Sequence, residues 1–159
     1  MRDGSPKGYT FLHFNGNQFT YDFMAAGYPD DYKMRIYGPR LVPNNVRRFR
    51  GEFFVNFFQG SENCIVEFKI NDGEWRPMRY VIEQDPHVSA IRYKWDHATT
   101  LPSGYRPSNP IPSFHLWEAR APLGLPTGTN TFYVRVTDKL GRQFFDQMDF
   151  EVVEVVDSN

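Results

Sequence analysis

A chain of 159 residues fits one globular domain. Eighteen Lys and Arg against nineteen Asp and Glu leave a formal net charge of -1, which excludes the basic field of a nucleic-acid binder. Aromatic residues make up 17% of the chain, ample for a core of large rings, while twelve Gly and twelve Pro favour many short elements over long helices. No run approaches the ~18 apolar residues of a membrane span, and the opening residues do not read as a basic-then-apolar leader.

In chain order, residues 1–8 read as an irregular lead-in, with Gly4, Pro6 and Gly8. Residues 9–14 and 18–24 are aromatic runs joined at Asn15-Gly16-Asn17, an Asn-Gly hairpin signal. A third strand is expected over 32–37, where Tyr32, Met34 and Ile36 alternate with Lys33, Arg35 and Tyr37. Residues 40–51 read as a polar connection holding Pro43, Asn44-Asn45 and the basic cluster Arg47, Arg48 and Arg50, which reads as a solvated face. Residues 52–59 carry Phe53, Phe54, Phe57 and Phe58, apolar on both faces, as in a strand covered on both sides. Cys64, Val66, Phe68 and Ile70 define one face of the next strand, and Asn71-Asp72-Gly73 turns the chain into a return strand over 75–83 with Met78, Tyr80 and Ile82 on one face. A short apolar piece over 88–95 suggests a further strand.

Residues 96–113 then form a long Pro-rich loop, longer than the roughly 12–15 residues usual for an unstructured connection in a compact domain. Order resumes at Phe114. Residues 131–137 alternate cleanly, Phe132, Val134 and Val136 against Tyr133, Arg135 and Thr137, and 143–156 supply the last strand or two. About nine strands without a convincing helix predict an all-β immunoglobulin-like sandwich, with a barrel as the rival, and one domain over 1–159. Cys64 is the only cysteine, so it reads as a buried thiol, and neither an internal disulfide nor a Cys-based zinc site is expected.

The chain is poor in motifs that carry chemistry. His13 and His115 fall inside strands, as outward or hydrogen-bonded residues, while His87 and His97 fall in or near the long loop. Asp85-Pro86-His87 has the Asp-x-His spacing of a dinuclear metal site, yet the Gly-Asp and Asn-His pairs that would complete such a site are missing, and the triplet reads as a turn before a proline. No Gly-x-Ser-x-Gly elbow and no phosphate-binding glycine loop occur. No catalytic residue, metal ligand or cofactor is therefore expected. The remaining signal is aromatic residues in loops: Tyr28, Tyr93, Trp95 and Tyr105, with Arg106 beside the last. Tyr93, Trp95, Tyr105 and Arg106 are the candidate binding residues: the rings suit stacking on a sugar ring or fitting a neighbouring protein, and Tyr, Trp and Arg anchor protein interfaces.

Several stretches resemble one family. They are Arg2-Asp3-Gly4-Ser5-Pro6-Lys7-Gly8-Tyr9, Asp31-Tyr32-Lys33-Met34-Arg35-Ile36-Tyr37, Asp72-Gly73-Glu74-Trp75, Asp85-Pro86, Pro107-Ser108-Asn109-Pro110, His115-Leu116-Trp117, Leu125-Pro126 with Gly128, and Val134-Arg135-Val136-Thr137-Asp138 with Gly141-Arg142. Together they look like the C-terminal domain of bacterial calcineurin-like phosphoesterases built in three parts. The resemblance implies a non-catalytic accessory domain whose partner is the catalytic core of the parent chain, and a periplasmic or extracellular parent. The second reading is a carbohydrate-binding module that takes an enzyme to a glycan. A flat, coplanar row of exposed aromatic rings favours the glycan, and a convex apolar patch near the N-terminus favours the core. A free-standing hydrolase is the reading the residues support least.

Overall fold

Half of the described residues lie in strands and 8% in helix, which is the all-β content that the turn spacing predicts. The computed structural model describes residues 1–44, 51–100 and 103–154. The cluster Arg47, Arg48 and Arg50, together with Asn45, Pro102 and residues 155–159, lies outside the described residues.

Eleven strands and one helix occur among the described residues: β1 (Gly8–Asn15), β2 (Gln18–Ala25), β3 (Met34–Tyr37), β4 (Leu41–Pro43), β5 (Glu52–Phe57), β6 (Ile65–Ile70), β7 (Arg76–Pro77), β8 (Arg79–Gln84), α1 (Pro86–Asp96), β9 (Pro112–Arg120), β10 (Gly128–Thr137) and β11 (Gln143–Val153). They form a two-stranded sheet β1-β2, a five-stranded sheet β4-β11-β10-β6-β7 and a four-stranded sheet β3-β5-β9-β8. The chain divides into two compact units: Met1–Arg35, Asn56–Glu62 and Tyr80–Leu116 make unit 1, and Ile36–Val55, Asn63–Arg79 and Trp117–Asn159 make unit 2.

Unit 2 is a β-sandwich with an aromatic filling. β10 pairs antiparallel with both β11 and β6, in a register that sets Phe132 opposite Met148 and Ile70. The alternation in β10 does what its period of two predicts: Phe132, Val134 and Val136 are buried, and Tyr133 and Arg135 are half-buried. Phe53 of β5 stacks on Phe132 at 4.3 Å and meets Phe150 edge-on at 5.1 Å, so the rings knit one layer to the other. Cys64, Val66, Phe68 and Ile70 are buried as one face of the β6 segment, as the sequence predicts.

Unit 1 holds the β1-β2 hairpin, α1, and the ends of β3, β5, β8 and β9 that fall within it. Its core includes Met34, Phe57, Phe58, Val81 and Leu116. Phe58 meets Tyr32 at 5.2 Å and Phe23 at 6.0 Å.

Five sequence expectations need correction. The stretch 40–51, read as a polar connection, includes strand β4 over Leu41–Pro43, which pairs in parallel with β11. The piece over 88–95 is helix, not strand. Asp85 is its N-cap, Pro86 stands at its first position, and Val88, Ile91 and Trp95 recur at helical spacing. His87 and His97 accordingly sit in the first turn and at the C-cap of α1, so the long connection shortens to 97–111. The first hairpin turns on Gly16-Asn17, because Asn15 still pairs with Gln18; Gly16 leads the loop with φ +62, as a turn with glycine first requires. Finally, residues 75–83 are not one strand. The chain leaves the five-stranded sheet at Pro77 and joins the four-stranded sheet at Arg79, which shifts the parity: Met78 and Val81 are buried and Ile82 is exposed.

Candidate functional site

A connected polar cluster lies in unit 1, where the lead-in is fastened. Gly4 has φ +92, a backbone state open to glycine at little cost, and its N–H donates to Met1 O at 3.3 Å. A Cβ placed there would stand 2.3 Å from Asp85 Oδ2 and 2.4 Å from Asn56 Nδ2, so Gly4 is also required by space. Its carbonyl accepts from Arg35 Nη1 at 3.1 Å, and Ser5 N donates to Asp3 Oδ1 at 3.1 Å. The Asp-Gly-Ser sequence is thereby bent into contact with β3 and β5.

Asn56 of β5, 1% exposed, organises the cluster. Its Nδ2 donates to Asp85 Oδ2 at 2.6 Å and to Asp3 O at 3.2 Å. Two acceptors on that side fix the amide's orientation, so Oδ1 faces His115 Nδ1 at 2.7 Å and the imidazole must donate from Nδ1. His115 Nε2 then lies 3.2 Å from Ser5 Oγ, whose hydroxyl donates to it when the ring is neutral. Asp3 Oδ2 is 3.5 Å from the same nitrogen and pairs with it when the ring is charged. Asp85 uses its other oxygen to cap α1, accepting from His87 N at 2.8 Å and Val88 N at 3.2 Å. The order Ser5, His115, Asn56 resembles a nucleophile, base and orienter. Ser5 is 5% exposed, however, so its hydroxyl is spent on the fold and is not presented to a substrate.

Beside this cluster opens a cleft of about 540 Å³, lined among others by Lys7, Tyr28, Arg35, His87 and Ile91. Burial pushes the His87 imidazole below its ordinary value of 6.5, and the Arg35 guanidinium pushes the same way; Asp85 opposes the shift and Lys94 adds to it.

The four candidate binding residues lie on α1 and the connection after it. Tyr93 is exposed and stacks on His97 at 4.0 Å, and Trp95 is half-buried. Tyr105 is 98% exposed. Arg106 pairs with Asp96 at 3.0 Å, the carboxylate that also takes Arg92 Nε at 2.7 Å. Arg92 reaches on to Asn109 Oδ1 at 2.7 Å, so the connection is tied down on the helix. Tyr28 stacks on Tyr32 at 4.4 Å.

Sequence reasoning missed Arg35, Asn56 and Asp3 as members of one cluster. The available signal was Asn56 itself, an amide inside the apolar run Phe53-Phe54-Val55-Asn56-Phe57-Phe58, where a buried polar group demands partners. Among the described residues no three His, Cys, Asp or Glu side chains gather as they would around a metal ion.

These features define an all-β domain whose main polar cluster serves its own architecture. The chain belongs to the family described as the C terminal of calcineurin-like phosphoesterase, whose family model matches residues 1–144. No curated protein matches the chain. Among solved structures, it is similar to CopC from Methylosinus trichosporium OB3b, at 12% identity over 77% of this chain and 91% of that one, with a TM-score of 0.36. It is also similar to the PmoD soluble domain from Methylocystis sp. ATCC 49242, at 14% identity over 89% and 96%, with a TM-score of 0.35. Neither likeness bears on what this chain does.

Proposed function

We propose that this chain is a non-catalytic domain that packs on the phosphoesterase core of its parent protein through the β1-β2 hairpin. The carrying observation is apolar exposure on that hairpin. Tyr9, Phe11, Leu12, Phe14 and Phe19 are each about half exposed or more, and every residue of β1 is exposed. A two-stranded ribbon is marginal by itself, and clustered large apolar groups in water mark a surface that another body covers. Phe14 stands opposite Phe19 on one face, while Tyr9 and Phe11 share the other, so both faces call for cover. The hairpin starts at Gly8, straight after the lead-in, and in this family the domain is the C-terminal part, so the catalytic part precedes it.

On the hairpin, the ring geometry favours a protein contact over a glycan platform. Tyr9 and Phe11 are at 90° and Phe14 and Phe19 at 40°, which makes no flat row. Tyr93 and Tyr105, on α1 and the connection that follows, supply a second contact in this reading.

Hydrogen exchange on the full-length parent and on the isolated chain tests the proposal. Residues 9–24 should exchange more slowly in the parent, and Phe14→Ser with Phe19→Ser should abolish that difference while leaving the stability of the isolated chain unchanged. Equal exchange of 9–24 in the two proteins overturns docking through the hairpin.

A further inference from the structure

The cleft in unit 1 has a wall chemistry that the architecture does not consume. Arg2, Lys7 and Arg35 line it, with the His87 imidazole, and no Asp or Glu side chain does. None of the three cations makes an ion pair among the described residues. Arg2 Nε donates to Asn109 O at 2.9 Å, and Arg35 donates to Tyr32 Oη and Gly4 O, each at 3.1 Å, all neutral acceptors. The nearest buried acid, Asp85, is turned to other work: its oxygens take N–H groups from His87, Val88 and Asn56. In a chain with a net charge of -1, three cations lining one cavity with no carboxylate in its wall are a local excess. The remaining wall includes the apolar groups Tyr28, Val88 and Ile91. A volume of about 540 Å³ falls in the roughly 300–1,000 Å³ range of small-molecule sites.

We propose that this cleft binds a small organic phosphate, its dianionic end held by Arg2, Lys7 and Arg35 and its organic body laid against Tyr28 and Ile91. A single carboxylate would leave two of the three cations unneutralised, whereas a phosphate dianion offers more charge and more acceptor oxygens for guanidinium donors. His87 reports on occupancy. Arg35 and Lys94 press its proton off and Asp85 alone favours it, so a bound dianion shifts that balance towards the protonated ring.

The test uses the 159-residue chain at fixed ionic strength, with phenyl phosphate, inorganic phosphate and phenylacetate as probes and the His87 ring resonances as readout. Phenyl phosphate should give a saturable shift with a raised His87 pKa, and should bind more tightly than inorganic phosphate or phenylacetate. Lys7→Gln and Arg2→Gln change exposed side chains and keep the fold; each should weaken phenyl phosphate about two- to fivefold, the effect of one exposed charge. A response that never saturates, phenylacetate binding as tightly as phenyl phosphate, or full affinity in both variants overturns the proposal. These outcomes are independent of hydrogen exchange in the hairpin.

Discussion

Gly4→Ala probes the fastening of the lead-in with one methyl group. The added Cβ would stand 2.3 Å from Asp85 Oδ2, 2.4 Å from Asn56 Nδ2 and 2.5 Å from Asp85 Cγ. Ordinary contacts are about 3.5 Å or more, so the pair must part by about 1 Å. That breaks a buried hydrogen bond of 2.6 Å to a carboxylate, worth about 1.5–3 kcal/mol. An L-residue held at φ +92 adds about 1–2 kcal/mol of backbone strain. The expected loss is about 2.5–5 kcal/mol, a large part of the ~5–15 kcal/mol that holds a domain folded. With a urea slope of about 2 kcal/mol/M, the denaturation midpoint drops by about 1.2–2.5 M. Gly124→Ala is the control, since Gly124 has φ +76 and nothing within 4 Å of its Cβ position. It should lose only the strain. If the two variants lose the same stability, the close approach of Gly4 to Asn56 and Asp85 is not what fixes that residue.

Val134→Ala should cost about 1–3 kcal/mol in the same assay, because Val134 is buried on the inner face of β10; an unchanged midpoint would mean the register is wrong. Asp85→Ala removes the α1 cap and takes from the buried Asn56 amide one of its two acceptors, for about 2–4 kcal/mol, with faster amide exchange at His87 and Val88 as the local sign. His87 is favoured neutral in the fold, so its contribution is complete above the ordinary value of 6.5 and is lost as pH falls through the lower folded value. The melting temperature of the chain should thus fall more steeply between pH 7 and 5 than that of His87→Gln, and parallel curves would refute this. The isolated chain should not turn over an aryl phosphate with added Mn²⁺, Zn²⁺ or Mg²⁺; metal-dependent turnover lost in His87→Ala would contradict the non-catalytic reading.

What could be read from the residues was short-range periodicity. The inward face of β10 and that of the β6 segment follow from alternation alone, and the first hairpin follows from two aromatic runs around Asn15-Gly16-Asn17. The α1 helix was legible in principle, since Asp85-Pro86 is an N-cap followed by Pro at the first position, but the β-rich surroundings favoured a strand. The break at Met78 was not legible: a change of sheet reverses the alternation without leaving a turn residue beyond Pro77. The fastening of the lead-in was hidden for a different reason. Its members are brought together over separations such as 53 residues from Asp3 to Asn56 and 110 from Ser5 to His115, and no local pattern encodes such pairing.

The residues that carry the family resemblance are mostly occupied by internal partners. Gly4, Ser5, Arg35, Asp85 and His115 meet around Asn56. Arg2 and Asn109 are joined by a hydrogen bond of 2.9 Å, and Ile111 N donates to Arg2 O at 3.1 Å. Asp138 closes the β10-β11 turn, accepting from Leu140 N and Arg142 N at 2.9 Å and from Arg142 Nε at 2.8 Å. Ser5, Asp85, His115 and Asp138, spent in this way, define where the backbone goes and have little capacity left for a ligand, whereas Arg2 and Arg35 give only one and two of their five N–H donors to these internal bonds. Two residues of the lead-in motif differ: Lys7 and Tyr9 are exposed, and their side chains have no such internal bond among the described residues. Lys7 lines the cationic cleft and Tyr9 opens the apolar hairpin. A backbone fixed by Gly4 on one side and by strand pairing from Gly8 on the other holds both at constant positions. Recognition is therefore to be sought at these two surfaces, one charged and one apolar, and not in the buried cluster that supports them.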